Sequence, residues 1–413
     1  MKVGVAVAFA VPAVALRIAG VHLAPPVAIP VFGGAVVASA FLLVWAAEAA
    51  HHDISGSLAT AILAVIAVLP EYAVDLYFAW SAGHIPQNAQ YAAANMTGSN
   101  RLLLGLGWPF VVVLFAWGAR RRGEPARSVQ LHQGRRMELR FLGLASLYSL
   151  IIPFTRRLAL YDAAVLLLLF GLYLWRAAQG ERSEPALVGV AEAIGNLPKR
   201  RRRAVVICMF VAATLIVLLS SEPFAQALVS GGKALGVDEF LLVQWLAPLA
   251  SEAPEFLIAA LLAVRGKAGA AMGLLLSAKL NQWTLLVGSL PLAYSVGAGH
   301  LAALPLDNRQ AAEVLLTAAQ SLLGIAVLAS MSLSLFEAAL LAGLFVAQLV
   351  LGGLLRTMLH NAQGGEVELI IFSVVYVLLS LFFLYQARRV VRLLWSNGRP
   401  KKKAHHAPIP RSG

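Results

Sequence analysis

Two runs in this chain, Ala204–Leu219 and Leu369–Leu384, contain no charged residue. A helix needs about 20 predominantly apolar residues to cross the hydrocarbon core of a bilayer, and each run is close to that length. Similar segments recur along the whole chain. Of its 413 residues, 60% are hydrophobic and 13% charged, whereas a soluble domain is roughly half apolar and a quarter charged. The sequence therefore reads as an all-α polytopic membrane protein. Lipid enforces the helical choice, because backbone polar groups there need partners within their own segment.

The apolar runs predict about twelve helices, over roughly 3–22, 30–50, 57–83, 88–118, 138–153, 159–178, 204–222, 239–265, 268–298, 311–331, 334–356 and 367–387. The net charge is +13, but its placement argues against nucleic acid as a partner. Lys and Arg gather in short segments between apolar runs, the bias that orients membrane proteins. With the N-terminus inside, about 23 of the 33 basic residues fall on the cytoplasmic side. Among them are Arg120-Arg121-Arg122, Lys199–Arg203, Arg265 with Lys267, and Lys401-Lys402-Lys403. Both termini are expected in the cytoplasm and the chain in a cell (plasma or inner) membrane, with inorganic cations and the bilayer as partners. The single cysteine, Cys208, excludes an internal disulfide framework. The apolar N-terminus lacks the basic start and cleavage region of a signal peptide and reads as a retained span. The tail Ser396–Gly413 is basic and expected to be disordered. No phosphate loop, Ser/His/Asp set or CxxC occurs, so nothing points to an ATPase or a redox enzyme, and no cofactor is expected beyond a transported cation.

Two segments resemble each other. "FLLVWAAEAAHHDISGSLATAILAVIAVLPEYAVDL" and "KALGVDEFLLVQWLAPLASEAPEFLIAAL" each carry a polar turn, then Pro-Glu 16 or 17 residues later, at Pro70-Glu71 and Pro254-Glu255. Each is followed by a helix with small and polar residues in mid-span, "AANMTGSNRLLLGLG" and "GLLLSAKLNQWTLLVG". On the orientation above, the first Pro-Glu helix begins inside and the second outside. The chain then consists of two inverted five-helix repeats with an extra helix at each end, an architecture in which transporters bind substrate at the midplane between repeats. The expected boundaries are 1–29 for the extra N-terminal helix, 30–178 for repeat one and 179–203 for a basic cytoplasmic linker. Repeat two follows at 204–356, then the extra C-terminal helix at 357–395 and the tail at 396–413.

These segments resemble the signatures of the sodium/calcium exchanger family, within the calcium:cation antiporter superfamily. The Pro-Glu segments are similar to its "GTSLPE", and "ANMTGSN", Ala94 to Asn100, to its "GNVVGSN". The resemblance covers about residues 30–356. It implies a secondary active antiporter moving Ca2+ or another cation against Na+ or H+ by alternating access, not an enzyme. Departures exist too. Ala67-Val68 and Ser251-Glu252 stand where the family has Thr-Ser, Arg101 follows Gly98-Ser99-Asn100, and the equivalent triplet of repeat two is Ser277-Ala278-Lys279.

The residue chemistry suits a cation. A charged carboxylate at the bilayer centre costs roughly 2.5–3.5 kcal/mol or more, so it persists where it faces a cavity or a partner. Glu71 and Glu255 are repeat partners and should face each other, forming the oxygen pair that a hard divalent cation takes. They are the expected metal ligands, with Asn100, Ser99, Ser251, Glu252 and Asp75 as further cation-binding candidates. Pro70 and Pro254 cannot donate to the carbonyls of Ile66 and Ala250, which become candidate ligands beside a helix break. Glu252 and Glu255 lie within about 60° of each other on a helix face. Lys279 and Arg101 are expected to compensate this charge. Lys279 stands in for a monovalent cation and pairs with a carboxylate in the empty state, or gives up a proton that serves as counter-ion. Plainer readings stand beside these. The acids could be structural ion pairs with Arg101 and Lys279, giving an exchanger fold without transport; Ser99 and Asn100 could serve close helix packing. A monovalent cation/proton antiporter is a further alternative. A membrane-embedded enzyme would place paired acids near a membrane face, and these are expected deep. Glu48, His51, His52 and Asp53 read as solvated capping residues, Glu222 and Glu337 as helix-end residues, and Gly231-Gly232 and Gly352-Gly353 as packing or turn glycines.

Overall fold

A computed structural model gives the fold of residues 3–50, 69–124, 128–179, 189–235, 239–359 and 362–388. The described part of repeat one begins with α2 (Pro25–Ala50), preceded by α1 (Val3–Ile18), and continues with α3 (Leu69–Ala82). The second motif helix consists of α4 (Asn88–Leu102) and α5 (Trp108–Arg121), joined by a π-helical segment, Leu103–Gly107. Then come α6 (Arg136–Ser149), a single turn α7 (Ile152–Thr155) and α8 (Leu160–Ala178). A short helix α9 (Val190–Gly195) leads to α10 (Lys199–Leu235) and α11 (Glu239–Val264). In repeat two the second motif helix is α12 (Ala268–Asn281) and α13 (Val287–Ala298), again joined by a π-helical segment, Gln282–Leu286. The chain ends with α14 (Asn308–Leu328), α15 (Leu335–Leu359) and α16 (Ala362–Gln386).

Among the described residues, eight helices are long and apolar enough to cross a membrane. Their surface suits lipid as the outer solvent. Ile207, Val211, Leu215 and Leu218, three or four residues apart on α10, are all more than half exposed. Glu71, Asp75, Glu252, Glu255, Arg101 and Lys279 are all buried. Apolar stripes outside and ionisable groups inside invert the soluble pattern, as a bilayer requires.

Local chemistry sets several helix starts. Asp307 and Gln310 form a reciprocal capping box at α14, with Gln310 N donating to Asp307 Oδ1 at 2.8 Å and Asp307 N to Gln310 Oε1 at 3.0 Å. Glu337 Oε2 accepts from Ser334 N and Oγ, both at 2.7 Å, which is the helix-end role expected of it. At α8, Asp162 accepts from Ala159 N at 2.7 Å.

Short strands display the inversion directly. β1 (Ser128–Gln130) precedes α6 and β2 (Arg157–Leu158) follows it, while β3 (Leu304–Pro305) precedes α14 and β4 (Ser332–Ser334) follows that helix. β1 pairs with β4 and β2 with β3, both antiparallel. Each ribbon thus joins the strand before one helix to the strand after its counterpart, which happens only if α6 and α14 run in opposite directions. The two π segments occupy matching places in the two motif helices, so the repeat extends to the backbone.

Several expectations change. Pro254 does not break its helix; α11 is continuous through it, because the ring removes one hydrogen bond while neighbouring turns hold the helix. The basic run Lys199–Arg203 opens α10 and does not belong to a linker, and α9 lies within the expected linker as well. α10 extends well beyond residue 222, so Glu222 is interior and pairs with Arg17 of α1. Gly231 is a packing glycine against Ile29, and Gly352 packs against Glu368. His51, His52, Asp53, Ile66 and the tail Ser396–Gly413 lie outside the described residues, as do the side chains of Glu48 and Ser251.

Helix α3 meets α13 where Gly83 and Gly297 allow backbone contact: a Cβ on Gly297 would overlap the carbonyl of Trp80. Gly297→Ala is expected to destabilise the folded protein by about 1–3 kcal/mol through overpacking, read as a lowered thermal midpoint in detergent. An unchanged midpoint would contradict the close approach.

Candidate cation site between the repeats

Four helices supply the site: α3 and α4 from repeat one, α11 and α12 from repeat two. Gln282, the first residue of the second π segment, joins them. Its Nε2 donates to Glu71 Oε2 and to Glu252 Oε1, each at 2.9 Å. One amide therefore bridges carboxylates from the two repeats. Glu71 is close enough to Glu252, Glu255 and Asp75 for their charges to interact, so acids from both Pro-Glu helices meet in one interior region. Ser99 lies beside Glu71, and its hydroxyl donates to Met96 O at 3.2 Å.

Gln282 leaves much of this oxygen set unused. Glu71 Oε1, Glu252 Oε2, Glu255 Oε2, Asp75 Oδ2 and Gln282 Oε1 are buried and accept no hydrogen bond within the protein. Buried polar atoms are nearly always paired, and unpaired ones concentrated on acids mark a place where something positive binds. Asp75 is held by Asn95 Nδ2 at 2.8 Å, which fixes one of its oxygens and leaves the other. Among the described residues, no group of three or more His, Cys, Asp or Glu side chains stands close enough to chelate a metal. A cation here would take pairs of carboxylates supplemented by amide and backbone oxygens, a set suited to hard cations.

The two basic residues sit differently from expectation. Arg101 does not pair with these acids. Its guanidinium meets Glu313 of α14 at 2.6 Å, both side chains being 1% exposed. It also reaches Gln348 Oε1 at 3.4 Å and stacks on Trp245, 4.9 Å from the ring centroid. Lys279 does not pair with a carboxylate either. Its Nζ donates to Asn100 O at 2.9 Å and Asn100 Oδ1 at 3.0 Å. Asn100 and Lys279 each lie three residues before their π segment, so equivalent positions of the two repeats touch. Such a contact can occur only near the axis relating the repeats.

Neighbouring polar pairs stitch the same helices. Tyr72 donates to Asn281 Oδ1 at 3.3 Å, and Gln244 to Thr97 at 3.5 Å. Gly98 allows this approach, because a Cβ there would overlap the Gln244 carbonyl. Ser277, in the triplet matching Gly98-Ser99-Asn100, accepts from Arg135 at 3.2 Å. Gln282 was not among the residues singled out from sequence. Its signal was present, since "KLNQ" places three polar residues within four in an otherwise apolar helix. A recess lined by Arg17, His22, Phe32, Pro223 and Gln226 lies apart from the acids, between α1, α2 and α10.

Comparisons with known proteins place the fold. No curated protein matches the chain. The chain is 38% identical to the H+/Ca2+ exchanger CAX, whose crystal structure superposes with a TM-score of 0.88 over 95% of each chain. YfkE shares the fold at 18% identity and a TM-score of 0.61, over 83% of this chain and 97% of that one. The sodium-calcium exchanger NCX_Mj shares it at 17% identity and a TM-score of 0.51, over 78% and 96%. The family described as sodium/calcium exchanger protein matches residues 25–178 and 205–352, which include α2 to α8 and nearly all of the second repeat, so this multi-pass membrane protein belongs to the sodium/calcium exchanger family.

Proposed function

We propose that the protein is a secondary active antiporter that carries Ca2+ out of the cytoplasm in exchange for H+, by alternating access. The observation that carries this reading is the Gln282 bridge between Glu71 and Glu252, with an unused oxygen left on each acid. A carboxylate in a low-dielectric interior needs a positive partner. Here a proton and a divalent cation compete for the same oxygens. Binding Ca2+ expels protons, and protonation expels Ca2+, so net movement of one is tied to opposite movement of the other. Glu71 and Glu255 act as central ligands, with Glu252, Asp75, Ser99 and Ser251 as further candidates; Asn100, expected among them, gives its oxygens to Lys279 instead. Gln282 joins that set, its Oε1 facing no other donor.

Two observations favour H+ over Na+ as counter-ion. The carboxylates are concentrated and unpaired, which suits proton exchange. The oxygens of Asn100, which would suit a monovalent ion, are taken by Lys279. The similarity to an H+/Ca2+ exchanger at 38% identity points the same way. An exchanger fold whose site is closed by salt bridges is disfavoured, because Arg101 and Lys279 are engaged elsewhere. We place the protein in the cell membrane with both termini cytoplasmic, on the distribution of Lys and Arg. The boundaries 30–178 and 204–356 stand as the proposed repeats, the second beginning within α10.

Reconstituted in liposomes, the protein should accumulate radioactive calcium when the lumen is acidic, and a protonophore with potassium clamped should abolish it. A sodium gradient without a pH gradient should drive none. Uptake driven by sodium alone would overturn the assignment of the counter-ion.

Glu71→Gln and Glu255→Gln should each lower calcium flux about 100-fold or more, equivalent to about 3 kcal/mol of cation binding, while eluting as folded protein. Flux near the wild-type level in either variant would remove that residue from the site.

A further inference from the structure

The Lys279–Asn100 contact has a composition unlike the rest of the site. Both partners of the ammonium are acceptors from one residue, the backbone carbonyl and the side-chain oxygen of Asn100. The amide cannot rotate away, because its own Nδ2 donates to Met96 O at 2.9 Å. That bond fixes Oδ1 toward the partner repeat. On a further side, the Trp283 ring faces Nζ at 5.1 Å from its centroid, a distance at which an aromatic face attracts a cation. Asn100, Lys279 and Trp283 are all fully buried. Two rigid oxygens and an aromatic face form the lining of a small monovalent-cation pocket, and the acids Glu71 and Glu252 lie within electrostatic reach of it.

From this geometry we infer that Asn100 O, Asn100 Oδ1 and the Trp283 face form a monovalent-cation site permanently filled in cis by the Lys279 ammonium. The inference rests on the antiport reading, since it explains why the transported charge bypasses these oxygens. A tethered ammonium cannot leave, so it supplies fixed positive charge beside the acids without being transported. It also keeps Na+ and K+ from a pair of oxygens that would otherwise accept them, since alkali cations take carbonyl and amide oxygens. Lys279 is then a specificity-determining residue. It acts by occupying a place, and the acids remain the groups that meet the transported ion. Arg101, whose charge repels Lys279, is held away from this pocket by Glu313.

The test empties the pocket. Lys279→Ala should be stabilised against thermal unfolding in detergent by Na+, K+ or NH4+ relative to N-methylglucamine, whereas the wild-type midpoint should not respond. In liposomes with equal solutions on both sides, calcium/calcium exchange by Lys279→Ala should be mostly lost in N-methylglucamine and regained in Na+ or K+. Wild-type exchange should be indifferent to these ions. If Lys279→Ala does not fold without added cation, monodisperse protein should be recovered in sodium or ammonium chloride and not in N-methylglucamine chloride. A variant with no monovalent-cation response in midpoint, exchange or recovery overturns the inference. If the wild type itself exchanges no calcium, the antiport reading fails, and the midpoint measurement still decides whether the pocket binds a monovalent cation.

Discussion

Everything at the centre of this protein follows from carboxylates buried in its interior. Glu71, Glu252 and Glu255 are all less than a tenth exposed, and none forms an ion pair among the described residues. An unneutralised acid in a buried, apolar surrounding is costly. Among the described residues, the Gln282 amide satisfies one oxygen of Glu71 and one of Glu252, and Ser99 lies beside Glu71. The remaining oxygens are a standing demand for positive charge that either a proton or a metal ion can meet. On the antiport reading proposed above, exchange is the consequence of that choice.

The fold gathers these acids in the interior, where the two repeats meet. Inversion brings the two Pro-Glu helices together from opposite sides, and the two ribbons, β1 with β4 and β2 with β3, tie the repeats at both ends. The π segments fall at the same point in each motif helix, as such bulges often do near functional sites. Three residues before each lie Asn100 and Lys279, the pair that meets across the axis. The positive charges are kept under control by separate arrangements, Arg101 by Glu313 and Trp245, Lys279 by Asn100 and Trp283. Lys279 therefore acts on Glu71 and Glu252 through space, with no ion pair to either among the described residues.

The sequence made the general plan legible and left its pairings hidden, for a physical reason. Hydropathy depends on a helix's solvent, so runs such as 88–118 and 268–298 emerged close to the observed helices. Pro70-Glu71 and Pro254-Glu255 stood out because charge beside proline is out of place in lipid. Partner choice depends on contacts between residues 179 or 211 positions apart, and no local spacing encodes those. Arg101 and Lys279 were therefore matched to the nearest acids by charge alone, whereas geometry gave one to Glu313 and the other to an asparagine. Gln282 was passed over because a neutral amide carries no charge to draw attention, although its neighbours Lys279 and Asn281 marked the turn as polar. Pro254 was read as a break because its missing hydrogen bond is local, but the neighbouring turns carry the helix through it.

The central claim, that proton and cation occupy the same oxygens, is tested most directly by counting protons as Ca2+ binds. The purified protein in detergent, in weakly buffered solution, is titrated with Ca2+ while pH is recorded. Calcium binding should release protons, and Glu71→Gln should release fewer or none. Calcium binding to the wild-type protein with no proton release would contradict the account.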